Sequence, residues 1–252
     1  MGIKANCMFE EPTFYDIAEL RRHRQERLAG AFRILNHFGF NDCVGGHITV
    51  RDPERRDHFW VNPIGISFGE MRVSDLQLVN GQGDILKGNL PVNQEALEVH
   101  LQIHQARPDV VSAIHVHSLH GKEWSELGKY VSPLTKDCCA FYQDHGLCNL
   151  LAGTNKDCDV VATALKQYKA VILRNQGFMT VGYSVDEAVS WFIAMDRACK
   201  AQLLAEAEGN ENIMNERKAV NMHSQFGTAH EGWLNFQPLW YKLIEEEPDV
   251  LH

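Results

Sequence analysis

Over residues 13–38, Ile17, Leu20, Leu28, Phe32 and Leu35 recur at helical spacing and Gly39 follows as a C-terminal cap, which predicts a first helix. Beyond it the period shortens. HITVR from His47, HFWV from His58 and DLQLV from Asp75 read as strands, separated by Asn62-Pro63 and by Gly81-Gln82-Gly83-Asp84. This pattern predicts an antiparallel meander. Ala96, Leu97, Val99, His100 and Ile103 restore the helical period over residues 93–106, Pro108 stops it, and residues 110–116 read as a buried strand. A helix over 156–168 is followed by strands VILR from Val171 and FMTVG from Phe178. A long helix then spans residues 185–206, opened by Ser184 with Glu187 as a capping box. Residues 208–229 are polar and weakly periodic, so they are expected as a loop or arm before an amphipathic tail over 233–247. No internal repeat is evident.

A length of 252 residues with 44% hydrophobic content suits one large domain with tails. The expected division is an N-terminal tail over 1–12, a domain over 13–206, and an arm with a tail helix over 207–252. A formal net charge of −9 argues against a polyanion binder, so no nucleic-acid partner is expected. Seven cysteines, odd in number, without a CxxC pair and including adjacent Cys138 and Cys139, argue for a reducing compartment over a disulfide scaffold. The first residues hold no long apolar run, which predicts neither signal peptide nor membrane span and makes the cytoplasm the expected location.

The sharpest chemical signal is AIHVHS at residues 113–118. Alternate residues of a strand point to the same side, so His115 and His117 present both imidazoles together, a metal-ligand arrangement. The plain alternative is a half-exposed strand whose Ile114 and Val116 face the core while the histidines face water. His47, His145 and His120 are further candidates, each with a polar-loop or helix-start role as its alternative. His100 and His104 sit one turn apart on the predicted helix, but no HExxH is present and packing is their expected role. Glycines in CVGGHIT and NPIGISFG allow close backbone approach or simply make turns.

VGGHITVRDP, FWVNPIGISF, GNLPVNQEALEVHLQIHQARPDVVSAIHVHS and AVILRNQGFMTVGYSVDEAVSWF together resemble the class II aldolase/adducin family in order and spacing, over roughly residues 25–206. The PVN before the helix and FYQDH further on are most similar to a less characterised eukaryotic branch, some of it associated with secondary metabolism. The resemblance implies an α/β fold of the class II aldolase type: a three-layer sandwich with a nine-stranded, mainly antiparallel central sheet flanked by helices. It also implies a homotetramer with sites at subunit borders. Zinc, or alternatively manganese or magnesium, is implied at His115 and His117, with a third ligand after the later strand.

Three departures stand out. The third-ligand position falls on Gln176 rather than histidine, so either the amide serves, a harder metal is used, or another residue such as His145 completes the shell. Counting back from His115 to the expected acid lands on Ala96, which leaves neighbouring Glu95 as the candidate base. His47 and Ile64 occupy places where sugar-phosphate sites carry small polar residues. Gly46, Ile64, Gly65 and Asn93 are therefore candidates for binding a non-phosphorylated carbonyl or carboxylate substrate. Ile64, Phe68 and Phe141 suit a less polar molecule, or are core residues.

The expected function is a metal-dependent lyase acting through a metal-stabilised enolate, of the aldol or retro-aldol type, with Tyr142, His47 or His145 moving protons. Decarboxylation or epimerisation on the same fold is the enzymatic alternative, and decarboxylation needs no base. The contrasting expectation is a non-catalytic binding module like the adducin head, favoured by the missing ligand and acid and opposed by the intact HxH.

Overall fold

A computed structural model of the chain describes residues 10–41, 45–149, 157–209 and 212–252, with backbone alone at 157–159. Most of the expected N-terminal tail therefore lies outside the described residues. Helix α1 (Ile17–His37) is capped by the Asp16 carboxylate, which accepts the Ala18 amide at 2.8 Å, and buries Leu28, Phe32 and Leu35. Gly39 follows in the left-handed conformation at φ 79°, which favours glycine.

Eight strands form one open sheet: β1 (His47–Arg51), β2 (His58–Val61), β3 (Gln77–Asn80), β4 (Ile85–Lys87), β5 (Ser112–His115), β6 (His145–Cys148), β7 (Ala170–Leu173) and β8 (Gly177–Gly182). Their spatial order is β4-β3-β2-β1-β5-β8-β7-β6, and every pair is antiparallel except β6 with β7. The nine strands expected from resemblance are thus eight among the described residues.

The period-two alternation of the strands divides the molecule into three layers. Ile48 and Val50 of β1, Ile114 of β5 and Ile172 of β7 point to one face, where they pack with α1 and with Phe192 and Met195 of α6 (Val185–Glu208). Ala113 of β5, Val171 of β7 and Val181 of β8 point to the other, under Ile103 of α2 (Gln94–Ala106) and Val161 and Leu165 of α5 (Asp157–Leu165). This is the three-layer sandwich with a mainly antiparallel central sheet.

Helix α2 is fastened to β1 through polar groups. Thr49 Oγ1 lies 2.9 Å from His100 Nδ1 and 2.8 Å from His104 Nε2, and Arg51 Nη2 lies 3.2 Å from His104 Nδ1. Burial and the Arg51 charge hold His104 neutral down to about pH 3. Aromatic stacking of His104 on Phe59, 4.6 Å between centroids, completes the packing role expected for that histidine.

Four short elements eluded the hydrophobic pattern: β4, β6, α3 (Leu119–Glu126) and α4 (Lys136–Cys139). The stretch expected as a loop or arm also contains a helix, α7 (Glu216–Phe226), capped by Asn215, whose side chain accepts the Lys218 amide at 3.0 Å. Only Ala219 of α7 is fully buried, with Met222 and Phe226 half-buried on the same side, so its apolar stripe is short and set among polar residues. The tail helix α8 (Ala229–Glu246) packs within its own chain: Phe236, Trp240 and Leu243 join the α1/α6 core. Arg27 lies over the Trp240 ring at 4.1 Å, with Asp186 3.6 Å away and bonded to Gln237 at 2.8 Å. A side chain at Gly30 would overlap Trp240, so glycine admits the indole.

Truncating Trp240 to alanine is expected to cost about 3–5 kcal/mol, the usual range for a large aromatic deleted from a core. Urea denaturation should show a lower midpoint with an unchanged slope. A second expectation concerns acid, measured on metal-stripped protein. His47 and His104 have folded pKa values of about 4 and about 3, caused first by burial. Both lie below the unfolded value of about 6.5, so their contribution is complete above that pH and drains as pH falls toward 4. At pH 5, about 1.5 units below the unfolded value, each removes about 2 kcal/mol. Asp52 does not contribute in this window: although burial opposes ionisation, Arg21 at 2.7 Å, backbone amides and Trp60 hold it down to about 2, so its share is lost only below the usual carboxylate range. Equal urea midpoints at pH 7 and pH 5 would contradict the neutral burial of these imidazoles.

Candidate active site

The two central strands bring the histidines together. In the β1–β5 ladder His47 pairs directly with His115, so their side chains share a face, the one covered by α2. His117 follows two residues later, with its ring 5.5 Å from that of His115. His100 comes down from α2, its ring 5.5 Å from that of His47. Four imidazoles thus gather at the end of β5, just before Ser118 opens α3 by accepting the Gly121 amide at 2.9 Å.

His115 is half-buried, and its Nε2 lies 3.2 Å from the carbonyl oxygen of Gln176 in the β7–β8 turn. A nitrogen facing a carbonyl carries the proton, which leaves Nδ1 with the lone pair. This is the outer contact commonly made by a metal-ligating imidazole. Burial, then the nearby His117 and Lys122, lower the His115 pKa to about 4 against that hydrogen bond. His47 is 1% exposed, and neither of its nitrogens makes a hydrogen bond of normal geometry among the described residues, the Gly46 backbone being only a weak neighbour. Burial holds it neutral as well, to about 4. The charges acting on His47, His100 and His115 arise mainly from other imidazoles and from Lys122, with no carboxylate among their main causes.

Among the described residues, no three His, Cys, Asp or Glu side chains stand close enough to enclose an ion as placed. The donor chemistry nevertheless fits a zinc-type divalent ion. Adjacent imidazoles at His115 and His117, with His47 beside them, supply nitrogen donors, and the two nitrogens of His47 are buried without a hydrogen bond of normal geometry.

The other candidate residues are dispersed. His145 starts β6, three strands from β5, a lateral separation of about 14 Å. Its Nδ1 donates to the Phe141 carbonyl at 2.7 Å and its Nε2 accepts the Val131 amide at 3.0 Å, so it has no nitrogen left for a metal. It therefore does not complete the HxH shell. Tyr142 lines a separate open cleft with Tyr130, His145, Lys166 and Tyr168. The Gln176 side chain is exposed, and its described contact with the site runs through the backbone carbonyl.

Glu95 is exposed in the first turn of α2, two residues from inward-facing Leu97, and makes no described hydrogen bond. Asn93 caps that helix by accepting the Ala96 amide at 3.1 Å. Gly46 is needed for packing, because a β-carbon there would meet the Phe68 ring at 2.6 Å. Ile64 is 37% exposed and Gly65 turns the chain at φ 94°. Phe68 and Phe141 are core residues, as the plainer reading of the sequence held. His120 pairs with Asp196 of α6 at 3.1 Å, a helix-to-helix contact. His100 was passed over as packing alone; the available signal was its helical spacing from Ala96, the position where the related acid is expected.

Comparison with known proteins places this geometry in context. Residues 26–203 match the model of the class II aldolase and adducin N-terminal domain. Decarboxylase NovR of Streptomyces niveus is 36% identical over 96% of this chain and 92% of its own length. A 4-hydroxy-3-prenylphenylpyruvate oxygenase/4-hydroxy-3-prenylbenzoate synthase of Streptomyces roseochromogenus subsp. oscitans is 36% identical over 95% of this chain and 88% of its own. Among solved structures, L-fuculose 1-phosphate aldolase from Glaciozyma antarctica PI12 superposes with a TM-score of 0.91 at 39% identity, covering 98% of both chains. The chain belongs to the class II aldolase and adducin N-terminal domain family.

Proposed function

We propose that the chain is a divalent-metal-dependent carbon–carbon lyase acting on a non-phosphorylated keto or hydroxyaryl acid, with decarboxylation favoured over aldol cleavage. The observation carrying this reading is the imidazole face made by His47, His115 and His117. His115 and His117 hold the ion, zinc before manganese or magnesium, and His47 supplies a third nitrogen where Gln176 offers only an exposed amide. A bound ion stabilises negative charge developing on an oxygen beside the breaking bond.

Cleavage of an aldol requires a base for the substrate hydroxyl. The nearest acidic candidate, Glu95, is exposed, and an imidazole with a pKa of about 4, as at His47, is a weak base at neutral pH. Loss of carbon dioxide leaves its electron pair on the adjacent carbon and needs no prior proton abstraction. The names of two relatives, a decarboxylase and a prenylphenylpyruvate oxygenase/prenylbenzoate synthase, both refer to acids and so support an acid substrate. The loops at Gly45–Gly46 and at residues 62–67 carry no Lys or Arg, which supports a substrate without phosphate.

Tyr142, in its separate cleft, serves as a proton donor only across a subunit border, which fits the proposed homotetramer. Exposed Leu119, Leu127 and Tyr130 offer an apolar edge for such self-association. Among the described residues no helix is long and apolar enough to cross a membrane, and Cys138, Cys139 and Cys199 are buried thiols outside any disulfide, which supports a reducing cytoplasm.

Elemental mass spectrometry is expected to find about one divalent ion per chain in wild type. His115→Ala with His117→Ala should reduce it at least about tenfold, together with carbon dioxide release from β-keto and hydroxyaryl acids. Absence of metal after zinc and manganese supplementation would overturn the enzyme reading in favour of a non-catalytic binding module. Metal retention with aldehyde release from aldols, and no carbon dioxide from acids, would overturn decarboxylation alone.

A further inference from the structure

We propose that His100 presents a fixed, neutral Nε2–H to the site and donates it to a carboxylate or enolate oxygen of the substrate, its tautomer set by a relay through Thr49, His104 and Arg51. The substrate class rests on the preceding reading; the tautomer rests on geometry alone.

One set of proton positions gives every hydrogen bond of the relay a proton and also uses the Thr49 hydroxyl. A guanidinium only donates, so His104 Nδ1, 3.2 Å from Arg51 Nη2, is the acceptor. The other nitrogen of this neutral ring then carries the proton and donates to Thr49 Oγ1 across 2.8 Å. The single hydroxyl proton of Thr49 is left for His100 Nδ1 at 2.9 Å. His100 is itself buried and held neutral, with His47, His104 and His115 adding to burial in opposing its protonation. In this arrangement its own proton resides on Nε2. Of the arrangements that give each of these hydrogen bonds one proton, this one also uses the Thr49 hydroxyl; the alternative, in which Thr49 accepts from both imidazoles, leaves that hydroxyl proton without a partner in the relay.

That Nε2–H has no partner among the described residues although His100 is 1% exposed. Buried donors are almost always paired, so an unpaired one beside a ligand site points to an absent acceptor. Its surroundings identify the acceptor's place: the ring lies 5.5 Å from that of His47, whose two nitrogens also lack a hydrogen bond of normal geometry and which pairs across the sheet with His115. One turn earlier on α2, on the same face as His100, stands Ala96, a small residue at the position where the family resemblance expects an acid. Without a carboxylate there, the N–H meets no anion among the described residues. A substrate oxyanion can take that place.

His100 is thus a substrate contact, while Thr49, His104 and Arg51 are positioning residues that fix its proton. A neutral donor suits this role: it stabilises charge on oxygen without surrendering its proton to it. An Nε2 metal ligand would need a lone pair on the nitrogen that the relay protonates.

Nitrogen-15 NMR of histidine-labelled protein tests the tautomer directly, with or without metal. His100 is expected to show a protonated Nε2 and an unprotonated Nδ1 in wild type and in Thr49→Ser, and a mixture of tautomers in Thr49→Val. The contact is tested with oxalate, a planar dianion, titrated onto zinc-loaded protein. His100→Phe should retain zinc and weaken oxalate binding by about ten- to hundredfold, the worth of one hydrogen bond to a charged group. His100→Gln, whose amide can donate from a similar place, should recover most of the affinity. A proton on Nδ1 in wild type would overturn the relay. Zinc loss in folded His100→Phe, or unchanged oxalate affinity there, would overturn the contact. If wild type binds no metal, the lyase reading fails separately, while the NMR result still decides the relay.

Discussion

The register of β1 against β5 is the constraint on which the site depends. Pairing His47 with His115 fixes which side of the sheet each residue of both strands faces. A slip of β1 by one residue would turn His47 and Thr49 into the apolar layer and expel Ile48 and Val50 from it. The hydrophobic alternation that makes the core therefore also assembles the imidazoles. Helix α2 secures the same register from above, because Thr49 can meet both His100 and His104 only when β1 presents it on that face.

Much of this was legible in the sequence wherever one face of an element is apolar. AIHVHS showed its alternation openly, and the long helices α1, α2 and α6 were foreshadowed by their spacing and, for α6, by the cap at Ser184. Elements that bury little apolar surface were not legible: α7 hides one alanine, and the three residues of β4 are all exposed. Site residues followed the same division. His115 with His117 is a local signal, whereas the approach of His47 depends on a ladder between residues far apart in the chain. His145 was misleading because a histidine in a polar context reads alike whether its nitrogens are free or bonded to Phe141 and Val131.

The face is also electrostatically uniform. Burial keeps His47, His100, His104 and His115 neutral, so the cluster does not repel itself. Arg51, the fixed charge nearest to it, acts at a distance by aligning protons along the relay. The same positive group that lowers the His104 pKa thus determines where the His104 proton sits, and by succession where the His100 proton points.

The two departures from the related aldolases at Ala96 and Gln176 then have a joint consequence. By the resemblance, each stands where a ligand-type or acidic side chain is expected, and among the described residues no carboxylate is a main influence on His115. An ion held by neutral imidazoles keeps its full double charge, which oxygen anions of the protein would otherwise reduce. The chain as a whole carries a formal charge of −9 and repels anions at long range. On the proposed reading, attraction for an acid is therefore local, where a substrate carboxylate would replace the charge that Ala96 does not provide and meet the proton proposed on His100. Absence of the acid would then disable base chemistry and favour an anionic substrate at once, so the proposed decarboxylation accounts for both departures together.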